Sequence, residues 1–298
     1  MGRTGTDSPV LGIVAMVAGL LFLTIQDAVS KWLVASLHVG EIMAWRGLFA
    51  LPLVLLLVRL ERDRWETLRS RAPRQSALRA VLAFFTAVLV VLSYKVMPLA
   101  DAMAIIFVSP LLVTALSAVL LKEPVGWRRW LAACAGFAGA LLIAGPSFDT
   151  IGMWALTPVA AALASALSDI ATRRLGRIDT GPSILFWTLV VATLGGFASV
   201  PVFGWSTPSP TEWALLLAAA VLLLLAYRLN IAAYTLASGA IVAPLRYLAV
   251  VWGGVIGYLV WGHVPDARAV AGAVLVMGAG LYIWRREVRL AKIAASPR

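Results

Sequence analysis

Ten apolar stretches of roughly twenty residues follow one another along this chain, and few architectures accept such a pattern. They fall at about 10–32, 41–60, 77–97, 99–121 and 128–146, then at about 152–173, 182–202, 212–235, 239–262 and 267–285. A helix crosses the hydrocarbon layer with about 20 apolar residues, and a helix satisfies its own backbone there without water. Of 298 residues 61% are hydrophobic and 13% charged, against about a quarter charged in a soluble domain. The reading is an all-α membrane protein with ten transmembrane helices and short loops. The first stretch is too long for a signal-peptide core, so it is read as a retained span. The single cysteine, Cys134, excludes an internal disulfide and is read as packing.

The net charge of +11 is concentrated in particular loops, which makes it a topology signal and not a nucleic-acid footprint. With a cytoplasmic N-terminus, nineteen basic residues fall inside. They are Arg3; seven from Arg59 to Arg79; Lys122, Arg128 and Arg129; Arg173, Arg174 and Arg177; and five in the tail from Arg285 to Arg298. Only Lys31, Lys95 and Arg268 fall outside, while Arg46, Arg228 and Arg246 lie within spans. Both termini are therefore expected in the cytoplasm. Tryptophans near span ends, such as Trp127, Trp154, Trp213 and Trp261, fit interfacial belts. The segment 59–75 is read either as a surface-lying helix or as a solvated basic loop.

The chain repeats itself. Asp27, Lys31, Leu33, Ile42 and Trp45 recur 142 positions later as Asp169, Arg173, Leu175, Ile184 and Trp187. Tyr94, Ala100, Leu141 and Ile143 recur 140 positions later as Tyr234, Ala240, Leu281 and Ile283. Leu, Ile and Ala matches arise easily in apolar sequence; an Asp-x3-basic match in register with a Trp does not. The expected units are a first five-helix repeat over 10–146, a second over 152–285 and a basic cytoplasmic tail over 286–298. Five spans is an odd number, so the second repeat enters the membrane upside down. Inverted repeats are a recurring design of secondary transporters, with substrate near the midplane between the halves.

Charges within spans cost about 2.5–3.5 kcal/mol each on insertion scales, so they usually face a partner or a wet cavity. Asp27 with Lys31, and Asp169 with Arg173, are spaced four apart for an ion pair along one helix face. Two roles stay open for them: gates or coupling sites at opposite sides of the membrane, or plain neutralisation of helix ends. Arg246, beside Tyr247 and after Pro244, suits a substrate carboxylate, or a structural pairing with Asp101. Tyr227 and Asn230 share a helix face with Tyr234. The substrate-binding set expected from sequence is Trp45, Trp187, Tyr227, Asn230, Arg246 and Tyr247.

Pro52, Pro110, Pro158 and Pro244 interrupt spans and free backbone groups. Small residues at four-residue spacing from Ala132 to Ala144, with Gly272 and Gly280, let the fifth and tenth helices pack closely as scaffold or as a homodimer surface. No GxxxxGK[ST] loop, HExxH or GxSxG motif occurs, so no enzyme activity, cofactor or metal is expected.

Tyr94 through Pro110 to Lys122-Glu123-Pro124, with Gly136 and Gly139, resembles the end of an EamA-type repeat. Pro244-x-Arg246-Tyr247, Val264-Pro265-Asp266 and Gly278-x-Gly280-x-Tyr282 resemble the end of a second one. The chain as a whole is similar to the drug/metabolite transporter superfamily. One departure is visible: Glu123 of the first repeat faces His263 in the second, so a symmetric role for that acid is in doubt. The resemblance implies a bacterial inner-membrane carrier with a central cavity, exporting small metabolites, with amino acids favoured. The runner-up is uptake of a nucleotide-like or methyl-donor metabolite; the other class is a membrane enzyme or interaction subunit without transport.

Overall fold

The computed structural model describes residues 9–60, 65–120, 127–175, 178–237 and 243–295, with some side chains within these ranges excepted. Arg3, Arg62, Arg64, Lys122-Glu123-Pro124, Arg177, Ala240 and Arg298, and the side chain of Arg173, lie outside the described set. Among the described residues every regular element is helical.

Three long helices come first: α1 (Pro9–Leu33), α2 (Val39–Leu60) and α3 (Pro73–Val96). A 3₁₀ turn at Trp65–Leu68 precedes α3, whose Pro73 occupies the first helical turn, where its missing N–H is no loss. α4 (Leu99–Ile106) and α5 (Ser109–Leu120) follow, then α6 (Trp127–Ile151). After a 3₁₀ turn at Gly152–Leu156 come α7 (Thr157–Leu175), α8 (Gly181–Ala198) and the short α9 (Val200–Phe203). α10 (Pro210–Leu236) opens on a capping box in which Ser209 and Glu212 satisfy each other's backbone N–H groups. A third 3₁₀ turn, Ala243–Tyr247, leads into α11 (Leu248–Trp261), closed by Gly262 at φ +67°, and α12 (Ala267–Ala295) ends the chain.

Six helical segments are long and apolar enough to cross a membrane: Val10–Leu33, Val39–Leu60, Pro73–Val96, Gly152–Thr172, Gly181–Val202 and Pro210–Tyr234. Four shorter apolar helical segments lie at Leu99–Val113, Trp130–Ile143, Leu245–Trp261 and Ala267–Tyr282. The sequence suggested continuous spans at 99–121 and 239–262; both are interrupted. The first breaks at Phe107–Val108, where Pro110 has no N–H to return to the preceding turn. The second is a 3₁₀ turn up to Tyr247 and α-helix after it, with Pro244 inside the turn.

Each long contact joins the part of the chain before Gly152 to the part after it: α1 lies along α10, α3 along α7, α2 along α8 and α6 along α12. α2 and α8 run antiparallel, with Gly40 beside Ser199 and Gly47 beside Thr193. At Gly196 a Cβ would collide with the backbone of Gly40 and Ala44, so only glycine permits the approach. α6 and α12 are equally close, and Gly139 meets the carbonyl of Gly272. The small-residue stripe of the fifth span is thus used inside this chain, as scaffold.

The bundle has two ends. The Lys31 end carries the connections 33–39, 96–99, 198–210 and 261–267; the Arg79 end carries 60–73 and 175–181. At the Lys31 end the buried Glu41 accepts from His38 N, Ser206 N and Ser206 Oγ. At the Arg79 end the buried Asp179 accepts from Ser70 Oγ and, at 2.7 Å, from Arg71 N. Each carboxylate fastens a connection of one half to the other half.

Candidate functional site

Two polar networks are set into the apolar bundle. Near the Lys31 end, Tyr94 on α3 hydrogen-bonds the Asp27 carboxylate of α1, and Arg46 of α2 is its charge partner. Asp27 stands six residues before the end of α1, about 9 Å inside it. Near the Arg79 end, Arg79 of α3 donates from Nε to Thr172 Oγ1 of α7 at 2.9 Å and from Nη1 to Thr188 Oγ1 of α8. Asp169 of α7 and Tyr227 of α10 lie within its electrostatic reach. Each network holds an aspartate, an arginine and a tyrosine from three helices, and the second adds Thr172 and Thr188, the latter from a fourth helix. Arg79 and Tyr94 are fifteen residues apart on α3, about 22 Å, so one helix links the two.

Lys31 does not form the expected pair with Asp27. Its ammonium donates to the carbonyls of Tyr94 (2.6 Å) and Met97 (2.7 Å), where α3 ends and leaves carbonyl groups without helical partners. The same ammonium lies 5.6 Å from the Trp261 ring centre, with Asp101 as its carboxylate neighbour. Four-residue spacing permits an intrahelical pair, but a helix terminus with open carbonyls offers the ammonium two acceptors at once. A cavity of about 460 Å³ at this end reaches Lys31, Tyr94, Lys95, Trp261 and His263.

Between the networks the two broken helices meet. Phe107, at the α4–α5 break, and Tyr247, at the start of α11, have ring centres 5.7 Å apart. The 140-residue offset makes these two residues equivalents of one another. Three buried polar atoms of the bundle have no hydrogen-bond partner among the described residues: Ser109 Oγ, two residues after Phe107; Asn230 Oδ1, against α1; and Trp252 Nε1, whose ring packs on the same core as Phe107. Such atoms usually find a partner, since leaving one unpaired costs about 1–3 kcal/mol.

The residues expected at one site are distributed. Tyr227 joins the Arg79 network, Asn230 approaches Gly19 of α1, and Tyr247 sits at the helix breaks. Arg246 is exposed, and Asp101 has Lys31 and Asp266 as its charged neighbours. Trp45 and Trp187 do not form two walls of one cavity. Trp45 packs among Phe49, Phe197, Trp205 and Trp213 at the Lys31 end, whereas Trp187 donates to the Leu68 carbonyl at 3.2 Å at the Arg79 end. These two matched residues stand at opposite ends of the bundle.

Arg79, Glu41 and Asp179 were not singled out by sequence. Arg79 falls inside the apolar run 77–97, where a cation requires partners, but its place beside the loop hides it among the loop charges.

Comparison with known proteins places this architecture. The EamA-like transporter family matches the chain twice, over residues 10–145 and 152–285. A riboflavin transporter of Rhizobium johnstonii is 31% identical over 282 residues, 94% of this chain and 93% of that protein. An S-adenosylmethionine uptake transporter of Rickettsia prowazekii is 28% identical over 91% of this chain and 92% of its own length. A pseudopaline exporter of Pseudomonas aeruginosa is 30% identical over 92% of this chain and 96% of its own. A crystal structure 18% identical in sequence shares the fold with a TM-score of 0.62, covering 98% of this chain and all of that one. The chain belongs to the EamA-like transporter family, within the drug/metabolite transporter superfamily.

Proposed function

We propose that the chain is a secondary carrier of a flat, polar heterocyclic metabolite, working by alternating access between inverted halves at 10–146 and 152–285. The observation that carries the reading is the junction of the two broken helices. An aromatic pair, Phe107 and Tyr247, stands there; Ser109 follows Phe107 by two residues, Trp252 packs on the same core with its indole N–H unpaired, and Asn230 offers an unpaired acceptor between α10 and α1. Rings stack on a planar ligand, and buried unpaired polar atoms favour a ligand with donors and acceptors on its edge. Interrupted helices at the repeat interface are where secondary transporters bind substrate. The inverted arrangement is supported by the antiparallel packing of the repeat-equivalent helices α2 and α8. The names of the riboflavin and S-adenosylmethionine relatives favour the same substrate class.

Export of amino acids is the second reading. The pseudopaline exporter supports the outward direction, and the exposed Arg246 offers a guanidinium for a carboxylate. In either case Asp27, Lys31, Asp169 and Arg173 are assigned to gating or coupling. All ten apolar helices then cross a bacterial inner membrane with both termini in the cytoplasm.

Flux into proteoliposomes decides between these. Labelled riboflavin, S-adenosylmethionine and a panel of amino acids are presented in turn. Saturable flux of a heterocycle, reduced at least tenfold by Trp252→Phe with Asn230→Leu, is the expected outcome. Saturable flux of amino acids alone would remove the favoured substrate, and no flux of any solute would favour a non-transporting membrane protein. Asp27→Asn and Asp169→Asn test coupling: normal flux by both across pH 5–8 would end that assignment.

A further inference from the structure

We infer that Arg79 is a lock that seals the Arg79 end by fastening α3 to the other half of the molecule; this rests on the carrier reading above. Among the described residues, its guanidinium partners lie after Gly152: Thr172 and Asp169 on α7, Thr188 on α8 and Tyr227 on α10. The two threonines are already committed as donors. Thr172 Oγ1 donates to the Ser168 carbonyl at 2.7 Å and Thr188 Oγ1 to the Ile184 carbonyl at 2.6 Å. Their remaining lone pairs accept from a cation, and a guanidinium presents five donors in a fixed fork. Arg79 thus fits a socket whose polarity is already set.

The socket lies about 9 Å inside α3, six residues from its start. A path from this end to the Phe107–Tyr247 junction that runs between α3 and α7 requires the guanidinium to leave. The repeat supplies no matching cation on α10. The repeat offset of 140 to 142 residues puts Ala219, Ala220 and Val221 of α10 where a matching cation would stand. Asp27 takes its cation from Arg46 instead, which belongs to the same half. The halves are joined at the Lys31 end by other contacts, the Glu41–Ser206 hydrogen bonds and Lys31 at the Trp261 ring, whereas opening at the Arg79 end breaks a guanidinium socket.

The test uses the full chain with Cys134→Ser and a reporter cysteine at Ser168, which is buried one helical turn deeper on α7 than Thr172. Labelling by a membrane-impermeant maleimide in proteoliposomes is timed, with riboflavin flux measured in parallel. Arg79→Gln is expected to speed labelling about tenfold. Arg79→Lys, which keeps the charge and loses the fork, should fall between. Arg79→Asp combined with Asp169→Arg should return labelling towards the slow rate, which a merely unfolded variant cannot do. Should Arg79→Gln fail to fold, Thr188→Val removes one acceptor and should speed labelling two- to threefold. Unchanged labelling in Arg79→Gln, or in Thr188→Val where it must stand in, overturns the lock. So does a charge-swapped chain that labels as fast as Arg79→Gln. Absent riboflavin flux with the expected labelling pattern counts against the substrate reading and leaves the lock standing.

Discussion

The two aspartates that match across the repeat, Asp27 and Asp169, have neighbours of the same chemistry and opposite connectivity. Asp27 sits with Arg46 and Tyr94, all from the first half, so its network braces one body internally. Asp169 sits with Arg79 from the first half and Tyr227 from the second, so its network joins two bodies. Duplication copied the acid but not its cation. A repeated sequence thus yields one contact suited to stability and another suited to motion.

The comparison can be broken most forcefully at Arg46. Arg46→Met leaves Asp27 without its cation and is expected to cost about 3–5 kcal/mol, read as thermal unfolding in detergent. Adding Asp27→Leu should recover most of that loss. If Arg79→Met costs as much as Arg46→Met and leaves Ser168 labelling unchanged, the two networks do not differ as described.

The carboxylate fastenings sharpen the same contrast at the loops. Glu41→Ala strips three hydrogen bonds from the His38 and Ser206 connections and should cost about 2–3 kcal/mol, while Ser206→Ala should cost about 1 kcal/mol. Asp179→Ala should resemble Glu41→Ala, because both fastenings bridge the halves; a difference above about 2 kcal/mol would show that the ends are unequal here too. A smaller effect is expected at Lys31. Lys31→Met uncaps the end of α3 and should lower stability by about 1 kcal/mol. A large loss there would mean that the Lys31 end is also sealed by charge.

The glycine seams give a sterically independent check. Gly196→Ala adds a methyl where α2 and α8 backbones touch and is expected to destabilise by about 1–3 kcal/mol. Gly254→Ala, with open space around the added carbon, should be nearly neutral. Equal effects would show that the α2–α8 seam is loose and not the fixed contact between halves.

Sequence by itself determined the class of fold and the family. Hydrophobic runs near the length of a bilayer crossing are a local property, and a register of Asp, Trp and Tyr across 140 to 142 residues is legible without coordinates. Among the described residues six helical segments are long and apolar enough to cross a membrane and four apolar ones are shorter, with Pro110 and Pro244 beside the breaks in two of the proposed stretches. Side-chain partnership was decided only by tertiary structure. Spacing brought Lys31 to the correct face of α1, yet its partners lie 63 and 66 residues away at the end of α3. Arg79 looked like one more loop charge until α7, α8 and α10 were packed around it. Periodicity fixes which face a residue occupies; what waits opposite that face depends on contacts between helices far apart in the chain.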